Sequence, residues 1–241
     1  MEKSNLPAKI SKMCDDFVSG LKAIYGDGLV SVMLYGSTVS GEYSSANSNV
    51  NLAVVLDDAG LANIAMVACL VNKRKFRPVE PVFFTEKYIA SSTDVFPLEF
   101  LDMKENNVVL YGKDAMRDVR VDEKNLMFQC EQELKSKLIN IKTAYLDHRS
   151  ASDRKKLLCR FFTSALHLLR NILRLKGRIP PYSREDVIRD AAVEFGIDKA
   201  MFGRVLGAKN GSLKLKHGEI KKLFIGFVAE VEKISEAVNR V

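Results

Sequence analysis

VSVMLYGSTVSGEYSSANSNVNLAVVL, residues Val30 to Leu56, decides how the chain is read. The apolar run from Val30 to Tyr35 predicts a strand. Gly36-Ser37 predicts a tight turn, residues 38–48 a polar excursion, and Asn49 to Leu56 a second strand. Side chains alternate along a strand, so Asn49 and Asn51 fall on one face and Val50 on the other. Two metal ligands would sit in this way. The glycine lets backbone approach a phosphate closely, and Ser37 adds an N–H and a hydroxyl.

This frame resembles the signature of the nucleotidyltransferase (polymerase beta-like) superfamily, in which an apolar strand ends in Gly-Ser and the next strand opens with Asp-apolar-Asp. Here Asn49 and Asn51 stand where that family has its aspartates. The family's paired carboxylates hold divalent metal that bridges a triphosphate, activates an acceptor hydroxyl and neutralises developing charge. Magnesium is normally held by carboxylates and substrate phosphates. Asparagine keeps the shape and removes the charge, twice over. The resemblance therefore implies that Gly36 and Ser37 cradle the phosphate of a nucleoside triphosphate, while the metal positions Asn49 and Asn51 are degenerate and hold magnesium weakly or not at all.

Substitutes for the missing acids are few. Asp57 and Asp58 lie at the far end of the second strand, about 20 Å from Asn51 at roughly 3.3 Å per residue. Glu42 sits in the excursion, where carboxylates are usually solvated. Arg77-x-x-Glu80 before an apolar strand resembles the segment of streptomycin-type adenylyltransferases that follows the first helix, where the family commonly carries a third carboxylate. Glu80 is thus the candidate catalytic acid. Pro81 beside it cannot donate to a ladder and places that strand at an edge or a bulge.

Around this stretch, spacing at Met13, Phe17, Leu21 and Ile24 predicts a helix over 10–24 packed on the sheet. Ala59 to Val71 predicts a long apolar helix closed by Lys73-Arg74-Lys75. Thr85 reads as the N-cap of a short helix ending at Ser92. Asp94 to Met103 reads as a further strand bearing Glu99 and Asp102, with Val108 to Tyr111 as its partner. From about Val119 the texture changes. Residues 126–148, 154–176, 184–195, 199–206 and 219–241 carry helical spacing, and Gly177 to Pro181 reads as a loop. The expected fold class is α+β. A nucleotidyltransferase-like mixed sheet with flanking helices spans residues 1–120, and an all-helical bundle spans 121–241. This order resembles the kanamycin and streptomycin nucleotidyltransferases.

The chain has 241 residues, 47% of them hydrophobic, and no run long enough to span a bilayer. Asp15 and Asp16 interrupt the start, so no export signal is expected, and the scattered Cys14, Cys69, Cys130 and Cys159 read as reduced thiols of a cytoplasmic protein. Walker, Rossmann, nucleophile-elbow and zinc spacings are absent. Net charge is +7 and unevenly placed: residues 1–120 carry 13 basic against 15 acidic side chains, and residues 121–241 carry 24 against 15. A basic helical half attracts phosphate-rich partners, nucleic acid included. His167, among apolar neighbours, reads as a packed histidine.

The expected function is a nucleotide- or partner-binding protein with impaired transfer activity. Two alternatives stand beside it. One is an active magnesium-dependent adenylyltransferase on a small hydroxylated substrate such as an aminoglycoside, taking metal through Glu80, Glu99 and the triphosphate. The other is an RNA-binding or antitoxin-like protein-binding module. The sequence leaves the oligomeric state open.

Overall fold

A computed structural model describes residues 6–39, 49–177 and 183–238, which fall into two compact units, Met1–Asp122 and Glu123–Val241. The first unit opens with α1 (Ala8–Tyr25), whose Ile10, Cys14, Phe17 and Leu21 are buried at helical spacing. Then follow β1 (Leu29–Tyr35), a 3₁₀ turn at Gly36–Thr38, and β2 (Val50–Leu56). After two short helices, α2 (Leu61–Ala65) and α3 (Ala68–Val71), come β3 (Val79–Phe84), α4 (Glu86–Ser91), α5 (Pro97–Glu105) and β4 (Asn107–Gly112).

The sheet order is β3-β2-β1-β4. β1 pairs antiparallel with β2 and β4, and β2 pairs parallel with β3, which makes the sheet mixed. Both faces are covered. Val32, Leu34, Val50, Leu52, Val54 and Leu56 face a core completed by α1 and Phe76. Met33, Ala53 and Val55 face a second core with Ile89, Phe100, Met103 and Met116. Two covered faces account for the near-continuous apolar runs of β1 and β2. Pro81 lies in β3, an edge strand, as its missing donor requires.

Two expectations for this first unit are corrected. Segment 94–103 is not a strand: α5 occupies it, with Pro97 at the first turn and Pro97, Phe100 and Met103 buried at three-residue intervals. Val108–Tyr111 accordingly pairs with β1. The expected helix over 59–71 is broken into α2 and α3, because the Tyr25 hydroxyl donates to the Asn63 carbonyl at 2.9 Å and the amides of Met66 and Val67 turn to i−3 carbonyls. The basic run after it forms a 3₁₀ turn, Arg74–Phe76, with Lys75 paired to Asp16 at 3.0 Å. Thr85 caps α4 by accepting from the Tyr88 N–H.

The second unit is helical: α6 (Glu123–Asp147), α7 (Ala151–Leu175), α8 (Arg184–Phe195), α9 (Lys199–Asn210) and α10 (His217–Val238). α7 packs against the other four. Ser150, Ser183 and Asp198 cap α7, α8 and α9 through their side-chain oxygens. Phe161, Phe162, Phe202 and Phe227 meet at the centre with ring centroids 4.8 to 6.3 Å apart. His167 is exposed rather than packed, because the helix turns its apolar sequence neighbours Leu166 and Leu168 inward and the imidazole outward. The loop expected at Gly177 to Pro181 lies, after Gly177, outside the described residues.

Candidate functional site

Strand register builds the site. Tyr35 is opposite Asn51 across β1 and β2, Asn51 is opposite Glu80 across β2 and β3, and Tyr35 is opposite Asn107 on β4. Directly paired residues share a face. Asn107, Tyr35, Asn51 and Glu80 thus form one polar row across all four strands, at the end of a face whose next row, Met33, Ala53 and Val82, is apolar. Asn49, two residues before Asn51, extends the row as alternation predicts.

The Gly36–Thr38 turn closes onto this row. Gly36 has φ +80°, and a Cβ there would stand 3.0 Å from Asn51 Nδ2, so only glycine lets the backbone lie against the amide. The Thr38 hydroxyl donates to the Asn49 carbonyl at 3.4 Å. Asn49 Nδ2 donates to Glu80 Oε1 at 2.5 Å. An ionised carboxylate only accepts, so this contact sets the orientation of the amide, nitrogen toward Glu80 and oxygen away. The Tyr35 phenol is held above its ordinary range, first by burial and then by the Glu80 charge. It remains a hydrogen-bond donor at neutral pH.

The structure therefore brings Gly36, Asn49, Asn51 and Glu80 together. The backbone of Ser37 lies in the same turn, while its hydroxyl is outside the described atoms, as is Glu42. Asp57 and Asp58 sit at the opposite end of β2 and are occupied locally: Asp57 accepts from the Asp58 N–H, and Asp58 from the Gly60 N–H and Asn63 Nδ2. Glu99 and Asp102 are on α5, not on a strand of the row. Tyr35, Thr38 and Asn107 join the site without having been singled out in the sequence. For Tyr35 a signal existed: it is the last residue on the Met33 face before the glycine.

No family model matches the chain, and no curated protein matches it. Among solved structures it matches spectinomycin adenyltransferase AAD(9) from Enterococcus faecialis, determined with ATP and spectinomycin. The TM-score is 0.57 at 12% identity, over 91% of this chain and 98% of that one. The fold is nucleotidyltransferase-like. Likeness at this identity speaks for the fold alone, and the residues must speak for the chemistry.

Magnesium, which a nucleotidyltransferase-like fold implies, meets a single carboxylate among the described residues of the row. The hard cation takes carboxylate oxygens. In the row only Glu80 supplies one, and that carboxylate already accepts from the Asn49 amide. Among the described residues no group of three or more His, Cys, Asp or Glu side chains is placed to hold a metal ion. Also among them, no helix is long and apolar enough to cross a membrane.

Proposed function

We propose that this protein binds a nucleoside triphosphate at the Gly36–Thr38 turn without a carboxylate-held metal, and that nucleotidyl transfer is lost or weak. The observation that carries this reading is the Asn49-to-Glu80 hydrogen bond. It supports the reading because an amide donor, and not a second acid, stands against the Glu80 carboxylate. The turn N–H groups of Gly36, Ser37 and Thr38 supply neutral donors for phosphate oxygens, and Asn51, against the turn, supplies another. Tyr35, kept protonated, adds a phenolic donor beside Glu80. Donors of this kind bind and orient phosphate. They do not neutralise the charge that develops between α-phosphate and leaving pyrophosphate, which is the larger task in phosphoryl transfer. The neighbour determined with ATP supports a triphosphate as the ligand class.

The test is calorimetric titration of ATP and GTP in chelator and again with magnesium. The expected result is binding of at least one nucleotide with the same affinity in both. Binding that requires magnesium, with pyrophosphate released in the presence of a small hydroxylated acceptor, would replace this reading with that of a working transferase.

A further inference from the structure

The helical unit carries a second group of charged residues, none of them shared with the polar row. After Asp153, α7 carries Arg154, Lys155, Lys156, Arg160, Arg170 and Arg174 and no acidic residue through Leu175. Lys156, Arg160, Thr163, His167, Arg170 and Arg174 recur at intervals of three and four, so they lie on one face over about 27 Å. The first four are exposed and the last two half-buried. From α9, Lys209 Nζ reaches the Thr163 hydroxyl at 2.5 Å and adds its charge midway along the stripe. Four acids of the neighbouring helices pair with lysines off the stripe: Glu131 with Lys135, Glu133 with Lys137, Glu232 with Lys142 and Glu230 with Lys233. On α7 itself Lys156 stands 3.9 Å from Asp153 at the head of the helix, and every charged side chain after Asp153 is basic.

Charge alone describes many solvated helix faces, but a groove runs along this one. Between α6 and α7 lies a shallow hollow of about 240 Å³ with Ala144, Leu157 and Phe161 in its walls and the polar Asn140 and Ser164 beside them. Arg160 lines the hollow and also stands on the stripe, so a chain whose phosphates follow the stripe can turn an apolar group into the groove one residue away. That combination, an anionic backbone carrying flat groups with apolar faces and polar edges, is the chemistry of an unpaired polynucleotide. A duplex keeps its bases stacked inside and cannot use the groove. We propose that this face of α7 binds single-stranded RNA, with phosphates along Lys156, Arg160 and Lys209, one unstacked base in the groove, and Asn140 and Ser164 bonding the ribose 2′-hydroxyl.

The experiment is fluorescence anisotropy of a labelled oligo(U) of about twelve nucleotides with the full chain. With about three phosphates neutralised, log K falls with log salt at a slope of about −2, so affinity drops about twenty-fold between about 50 and 200 mM salt. Lys156→Gln/Arg160→Gln flattens the slope by about 1.4. Ala144→Phe fills the groove at constant charge, so it weakens binding about tenfold and leaves the slope unchanged. Ser164→Leu provides the same block should Ala144→Phe fail to fold, and Lys155→Gln, off the stripe, leaves binding unchanged. Absence of binding at low salt, or groove variants that bind as the wild type does, would overturn the proposal. Polyphosphate, duplex RNA or oligo(dT) bound as tightly as oligo(U) would overturn it too, leaving a general polyanion surface.

Discussion

Replacing Asn49 by aspartate turns the central contact of the polar row from attraction into repulsion. In the native chain Asn49 Nδ2 donates to Glu80 Oε1, and both residues are solvent-exposed. Losing that hydrogen bond costs about 1 kcal/mol. Two carboxylates about 4 Å apart in a medium close to water repel by about 1 kcal/mol more. Asn49→Asp should therefore lower stability by about 2 kcal/mol, which is about 8 °C in the melting of a unit of this size. Adding Glu80→Gln restores a donor–acceptor pair with the roles exchanged, so the double variant should recover most of the loss, a coupling that a double-mutant cycle reads directly. Magnesium gives an independent readout. Asn49→Asp/Asn51→Asp places three carboxylates in one row, and magnesium at a hundred times its dissociation constant should stabilise that variant by about 2.7 kcal/mol. The wild type should not respond. Scanning calorimetry with and without magnesium measures both effects. A wild type stabilised as much as the double aspartate would refute the reasoning, since the amides would then be serving with Glu80 as ligands.

Other outcomes follow from single features. Gly36→Ala forces a side chain into left-handed backbone at about 1 to 2 kcal/mol and pushes on Asn51, so nucleotide binding in the titration should fall along with stability. Gly112→Ala, whose Cβ would meet the Val30 carbonyl oxygen at 2.1 Å, should destabilise further, by about 3 kcal/mol in urea melts, without that selective effect on binding. Burial pushes the Cys130 thiol up to about 12, with Arg174 opposing and Glu133 adding. The thiol stays protonated in the fold and ionises in the unfolded chain, so its contribution is intact below about pH 9 and is lost as pH rises toward 12. By pH 11 that is about 3 kcal/mol at most, and Cys130→Ala should shrink the drop in melting temperature between pH 8 and pH 11. Phe227→Ala opens the aromatic centre of the helical unit and should cost about 3 to 5 kcal/mol by denaturant unfolding.

What was legible in the sequence was what depends on local period. Alternation around Val50 placed Asn49 and Asn51 on one face, and helical spacing located the five long helices of the second unit. Glu80 was reachable only through resemblance, because its place in the row is set by the pairing of β2 with β3. Segment 94–103 misled because Phe96, Leu98 and Phe100 imitate a two-residue period, whereas Pro97 at a first helical turn and burial at 97, 100 and 103 obey the helical one. The break between α2 and α3 depends on Tyr25, 38 residues away from the carbonyl it occupies, and no local window contains both. Tyr35 went unremarked because an aromatic residue in a strand needs no function to explain it.

Pro81 has a consequence for how the protein behaves in a crowded solution. The Val50 N–H donates to the Pro78 carbonyl, and in a parallel ladder the backbone groups of alternate residues point to the same side. Residues 78, 80, 82 and 84 therefore bond toward β2, and 79, 81 and 83 present theirs to the open side of β3. Proline falls on the middle one of these. An incoming strand seeking to extend the sheet finds an N–H at Val79, none at Pro81, and the next only at Phe83, so the hydrogen-bond ladder cannot propagate. The same residue that sits beside the candidate site thus guards the edge of the sheet against self-association.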